Sequence, residues 1–212
     1  LSRHYGAGQM LVCAAGAVTH DELVACVEGR LGGLQTANDT IRKAPEWWAG
    51  RQTVKRDLEQ THVVLGLPGI AANDKQRFAL MALSTLFGGG MSSRLFQQVR
   101  EKRGLCYSIF SFANMHSDSG NFAIYAGTSA DQVDEMLGVV CDELRDVASG
   151  VSGAEVNRAK AQLRASLLMA RESVSGCCDA LARQIMLFGK PSDDAELLAA
   201  IDDVTQAHVS QL

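Results

Sequence analysis

The chain has 212 residues, 47% hydrophobic and 21% charged, with 24 acidic against 20 basic side chains. That length suits roughly one to two domains and a core that needs neither disulfides nor a structural metal. A formal charge of −4 excludes a general nucleic-acid binder, whose footprint is basic, and no apolar run approaches the ~18 residues of a membrane span. Leu1–Gly8 is polar and aromatic, unlike a signal peptide. With Leu1 in place of an initiator Met, the chain reads as an excised piece, and any targeting signal would lie upstream.

In chain order, Gln9–Gly16 reads as a short buried strand. Thr19 and Glu22 form a capping box that opens a helix to about Leu31, ended by Gly32–Gly33. The polar stretch Gln35–Gln52, with Pro45 and the pair Trp47–Trp48, reads as a linker. Thr53–Leu67 predicts one or two strands, stopped by Pro68–Gly69. Asn73 with Gln76 starts a helix through about Phe87, apolar at Phe78, Leu80, Met81, Leu83 and Leu86. Gly88–Gly90 interrupts it, and a second helix covers Ser92–Lys102. Leu105–Asn114 alternates as a strand, with Asn121–Gly127 its hairpin partner across Ser117–Gly120.

Ser129 with Gln132 and Ser152 with Glu155 repeat the capping pattern. Apolar side chains at 156, 159, 163, 167, 170, 174, 177, 181, 185 and 188 predict one long helix over about 153–188 with a single buried stripe. Pro191 stops it, and two short helices close the chain. The fold class is α+β, an antiparallel-rich sheet with helices packed on one face.

Most chemical motifs are absent. The five histidines (4, 20, 62, 116, 208) are isolated, so neither HExxH nor its inversion HxxEH exists and the chain has no metal site of its own. His20-Asp21-Glu22 matches half of a deaminase signature, but no PCxxC follows; it reads as an acidic helix start. After Gly88, Gly89 and Gly90 come Met91, Ser92, Ser93 and Arg94, without the Lys of a P-loop. The triplet is either a flexible junction with Ser92 or Ser93 capping the next helix, or a peptide-contacting loop whose helix start offers free N–H groups. No GxSxG elbow exists, and Cys106 beside Tyr107 lacks a local base. The six cysteines show no CxxC spacing. They read as free thiols of a reducing compartment, so a cytoplasmic location is expected.

The stretch Gly88–Tyr107, GGGMSSRLFQQVREKRGLCY, closely resembles the C-terminal half of the inverzincin-type (HxxEH) zinc peptidases, the family of processing peptidases, pitrilysin and insulin-degrading enzyme. Glu59–His62 before a strand, Asp118–Gly120 before Phe122, and Arg171-Glu172-Ser173 extend the resemblance over the whole chain. It implies two homologous halves enclosing a chamber. The N-terminal half binds zinc through HxxEH and a downstream glutamate. The C-terminal half contributes an Arg and a Tyr, here Arg100 and Tyr107, which face the zinc and hold the substrate backbone. The residue types suit that role: a phenol O–H can donate to an oxyanion, and an Arg fork can grip a carbonyl or orient the Tyr. Gly88, Gly89, Gly90, Ser92, Ser93 and Arg94 are candidate substrate contacts, with a structural ion pair as the alternative for Arg94.

The resemblance thus implies the substrate-binding C-terminal portion of a zinc-dependent endopeptidase that cleaves peptides or presequences, inactive alone. The alternative is a non-catalytic recognition or structural subunit of a processing-peptidase-like complex. Zinc would come from the N-terminal half or a partner subunit. Residues 1–34 would be the last strand and helix of the preceding half, 35–52 the linker, and 53–212 the C-terminal half without its closing strand. As counterpart of that strand, Gln9–Gly16 either completes this chain's own sheet or swaps into a neighbour, making a homodimer.

Overall fold

The computed structural model describes residues 5–36 and 43–212. The chain divides into two compact units, Leu1–Ala44 with Ser166–Asp193, and Pro45–Ala165 with Asp194–Leu212.

The larger unit holds a three-stranded antiparallel sheet of β1 (Thr61–Pro68), β2 (Ser108–Met115) and β3 (Gly120–Thr128), ordered β1-β3-β2. Alternation decides its faces. Val63, Leu65 and Leu67 pack onto the core, whereas Val64 is 64% exposed. Their register partners Ala126, Ile124 and Phe122 are buried on the same face. Against that face lies α2 (Arg77–Gly88), contributing Leu80, Ala82, Leu86 and Phe87. Met136 and Val140 of α3 (Val133–Ser149) and Val156 and Ala159 of α4 (Gly153–Arg171) extend the core. Asp194–Asp202 (α6) and Gln206–Ser210 (α7) add Ile201 and Val209. The α+β class and its antiparallel sheet therefore hold, and both closing helices are present.

The smaller unit is helical. Its α1 (His20–Leu31) has the expected capping box: Glu22 N–H donates to Thr19 Oγ1 at 3.3 Å, and Thr19 N–H donates to Glu22 Oε2 at 2.9 Å. The Thr19 donors hold the Glu22 carboxyl below its usual range. The C-terminal part of α4 and α5 (Val174–Phe188) complete this unit.

Five expectations need correction. Ser129 forms no capping box: its Oγ donates to Gln132 Oε1 at 3.0 Å but accepts from no backbone N–H among the described residues, and it precedes only the short 3-10 turn Ala130–Gln132. Gln9–Gly16 is no strand: Ala7–Gln9 forms a short 3-10 turn, and residues 10–15 join no ladder among the described residues. The Cys13 carbonyl instead accepts from the Cys178 thiol at 3.3 Å. Residues 53–60 carry no strand either; pairing begins at Thr61. The helix over Ser92–Lys102 is not a regular α-helix. Its central stretch Phe96–Glu101 is wide, with Lys102 N–H donating to Gln97 O, five residues back, at 3.0 Å.

Finally, the helix expected over 153–188 breaks at Glu172–Ser173. Ser173 leaves helical geometry and caps α5 by accepting from Gly176 N–H at 3.3 Å. Gly176 permits the tight junction, because a Cβ there would lie 2.4 Å from the Ala170 carbonyl oxygen. The apolar stripe reads through this break because 170, 174 and 177 keep helical spacing. Among the described residues no helix is long and apolar enough to cross a membrane.

Candidate functional site

The glycine loop follows from where α2 ends. Gly88 lies against β2 so closely that a Cβ would meet Ser111 N at 2.3 Å and Ser111 Oγ at 2.6 Å. Gly89 N–H closes the helix on Thr85 O at 2.9 Å, and Gly89 O accepts from Gln162 Nε2 at 2.5 Å. Gly90 O then accepts from both Ser93 N–H (3.0 Å) and Ser93 Oγ (2.6 Å), a tight turn that buries Ser93. Met91 and Ser92 remain exposed at its tip.

Arg94 turns inward from this loop. Its Nε donates to Glu155 Oε1 at 2.6 Å and its Nη2 to Glu155 Oε2 at 3.1 Å, while Nη1 reaches Asp146 Oδ2 at 2.5 Å. The Arg94 and Glu155 side chains are 14% and 17% exposed. Bidentate pairing in that setting is strong, and it holds the Glu155 carboxyl down at about 2. Of the two readings of Arg94, this geometry is that of the structural ion pair. It ties the loop to the α3–α4 junction. Burial pushes the nearby Glu143 carboxyl up.

The wide helix buries Leu95 and Val99 and leaves Arg100 exposed, with its guanidinium 4.7 Å from the Phe96 ring centroid. Gly104, at φ +64°, adopts the left-handed conformation that turns the chain back. Its N–H donates to Arg100 O at 3.0 Å, and Leu105 N–H donates to Val99 O at 3.0 Å. Leu105 O in turn accepts from Thr128 Oγ1 at 2.5 Å. Tyr107 enters the sheet by donating its N–H to Gly127 O at 2.9 Å, and its side chain is 66% exposed. Arg100 and Tyr107 thus project from the two ends of one buttressed turn. Between them Cys106 is buried, and burial pushes its thiol up, which makes it a poor nucleophile.

Composition and motif spacing do not single out a further polar group on the outward face of the sheet. His62 Nδ1 lies 2.8 Å from Tyr125 Oη, beside Phe110, whose ring centroid is 4.9 Å from that of Tyr125. The available signal was strand alternation, which puts His62 and Tyr125 on one face. A cavity of about 200 Å³, lined by Leu67, Leu80, Phe87 and other apolar side chains, contains neither Arg100 nor Tyr107. Among the described residues no three His, Cys, Asp or Glu side chains come together to hold a metal.

The family profile described as the peptidase M16 inactive domain matches residues 1–163. An uncharacterised zinc protease of Streptomyces coelicolor is 37% identical over 213 residues, covering 96% of this chain and 46% of that protein. The crystal structure of a peptidase M16 inactive domain from Pseudomonas fluorescens matches with a TM-score of 0.77 at 24% identity, over 92% of this chain and 48% of that one. A chain of complex III2 from Candida albicans matches with a TM-score of 0.73 at 22% identity, over 92% and 49%. The chain spans about half the length of the curated relatives it matches.

Proposed function

Because the chain belongs to the family of the peptidase M16 inactive domain, we propose that it is the substrate-binding C-terminal half of a zinc-dependent endopeptidase. Arg100 and Tyr107 hold the peptide in a chamber closed by a zinc-bearing half. That half is supplied by the same polypeptide or by another subunit. The observation that carries this reading is the turn itself, which keeps Arg100 and Tyr107 exposed while anchoring their backbone through Val99, Leu105 and Gly127.

The described residues do not fit a zinc site, so this chain's share of the chemistry is binding and orientation. The Arg100 fork grips a substrate carbonyl, and the Tyr107 hydroxyl donates to the oxygen on which negative charge develops. Gly88, Gly89, Gly90, Ser93 and Arg94 serve by shaping the loop; Ser92 touches the peptide. All six cysteines are free, which supports a reducing compartment such as the cytoplasm.

A second reading is a recognition or structural subunit without turnover. The likeness to a complex III2 chain favours it only as far as the shared fold goes, since identity there is 22%.

Arg100→Ala and Tyr107→Phe, made in the protein that joins this chain to its zinc-bearing half, separate the two. Loss of an oxyanion donor lowers kcat by about 10²–10³-fold. Both variants keep their melting stability within about 0.5 kcal/mol because the side chains are exposed. Parental cleavage by both variants refutes the assigned roles. A parent that binds peptide without cleaving it supports the recognition subunit.

A further inference from the structure

On the face of the sheet turned from the core, register partners form rows across three strands. His62, Gly127 and Ser108 make one row, and Val64, Tyr125 and Phe110 make the next. Gly127 leaves the middle of the first row without a side chain, and polar tips from separate segments close over it, so that Gly127 itself is buried. A Cβ built on Gly127 would meet Gln60 Oε1 at 3.1 Å, Ser108 Oγ at 3.1 Å and Tyr125 Oη at 3.4 Å.

Tyr125 is held in place from two sides. Its hydroxyl is 2.8 Å from His62 Nδ1, with the two rings stacked at 6.0 Å, and its ring packs on Phe110. The side chains of Gln60 and Ser108 make no hydrogen bond to another described residue, and both are only half-buried. Their oxygens therefore keep lone pairs for an incoming donor. The floor of this niche is bonded directly to the candidate site, since Gly127 O accepts from Tyr107 N–H.

We propose that Gln60, Ser108 and Tyr125, with His62 orienting the phenol, form a surface subsite whose oxygens accept amide N–H groups of the extended peptide beside the portion held by Tyr107. The proposal rests on the peptide-binding role given above. All three converging oxygens belong to neutral groups, which suits an amide better than an ammonium. An extended peptide presents such donors at regular intervals and brings them alongside a sheet without rearrangement. His62 is a positioning residue here, acting through Tyr125.

The probe is fluorescein-labelled β-casein, a chain unfolded in solution, offered to the protein joined to its zinc-bearing half. Tyr125→Phe keeps the ring and its packing on Phe110 but removes one oxygen and the His62 bond. Loss of one neutral hydrogen bond raises KM by about three- to ten-fold, and kcat stays within about twofold because uniform binding alone is lost. Gly127→Ala sets a methyl group among the three oxygens and gives the same KM rise.

Unchanged KM in both variants, with the parent cleaving normally, overturns the subsite and leaves the peptidase reading standing. A lowered melting temperature with unchanged KM assigns the cluster to stability and overturns the subsite too. If the parent binds casein without cleaving it, the peptidase reading fails. The dissociation constant from fluorescence anisotropy then replaces KM, with the same fold-change expected. A parent that neither cleaves nor binds overturns both.

Discussion

The Arg94–Glu155 pair offers a sharp test of what holds the glycine loop. Glu155→Gln removes the charge while keeping the shape. Gln at this position can still serve the capping box on Ser152, whose N–H donates to Glu155 Oε2 at 2.8 Å. Arg94 also keeps its second partner, Asp146. The carboxyl sits at about 2 in the folded protein against an ordinary 4.5. At about 1.4 kcal/mol per pH unit, that gap corresponds to about 3 kcal/mol. Partial exposure of both side chains reduces the expectation to about 2 kcal/mol.

Because the folded-state pKa is depressed, this contribution is present in full above about pH 5. It is lost as the pH falls from 4.5 toward 2. Urea unfolding of both proteins across this range, with a slope of about 2 kcal/mol/M, should show midpoints about 1 M apart at pH 7 and converging near pH 2. A pH-independent difference, or no difference at pH 7, would refute the electrostatic origin.

Gly88→Ala drives a methyl group into the Ser111 backbone. It should cost about 3 kcal/mol as overpacking against a strand that cannot yield, read as a melting temperature lower by about 6–10 °C. Ser173→Ala removes the cap of α5 and should cost about 1 kcal/mol in urea unfolding. Gly176→Ala should cost more, since its Cβ would press on the Ala170 carbonyl. An unchanged melting curve for Gly176→Ala would mean that 153–188 can close into one helix after all.

What could be read from the sequence was local. The capping boxes at Thr19 and Ser152, the Leu80–Leu86 stripe and the Ser117–Gly120 hairpin each need only a few neighbouring residues, and all are in place. Gln9–Gly16 misleads for a physical reason: a short apolar run carries no period that separates a strand from a packed extended segment. The break at Ser173 hides behind an apolar stripe that stays in phase across it. The wide helix at 96–101 leaves no periodic mark at all.

For the site, Arg100 stands out only through the resemblance, because in the run Arg100-Glu101-Lys102-Arg103 nothing local distinguishes it from a solvated helix end. The inward turn of Arg94 depends on Glu155, 61 residues away. His62 looks idle when histidines are scanned only for metal-ligand spacing. Its partner Tyr125 is 63 residues downstream and is brought near by β1–β3 pairing.

The helical turn that spans five residues instead of four has a consequence for how related chains are aligned. Such a turn accommodates one residue more than an α-turn would. A single-residue deletion between Leu95 and Val99 would let it relax, and the buried anchor at Leu95 would then meet Arg100 about 100° out of phase. The six residues between Arg100 and Tyr107 would be untouched, so a motif scan would score both versions alike. Only the upstream indel would reveal that the guanidinium had swung to another side of the helix.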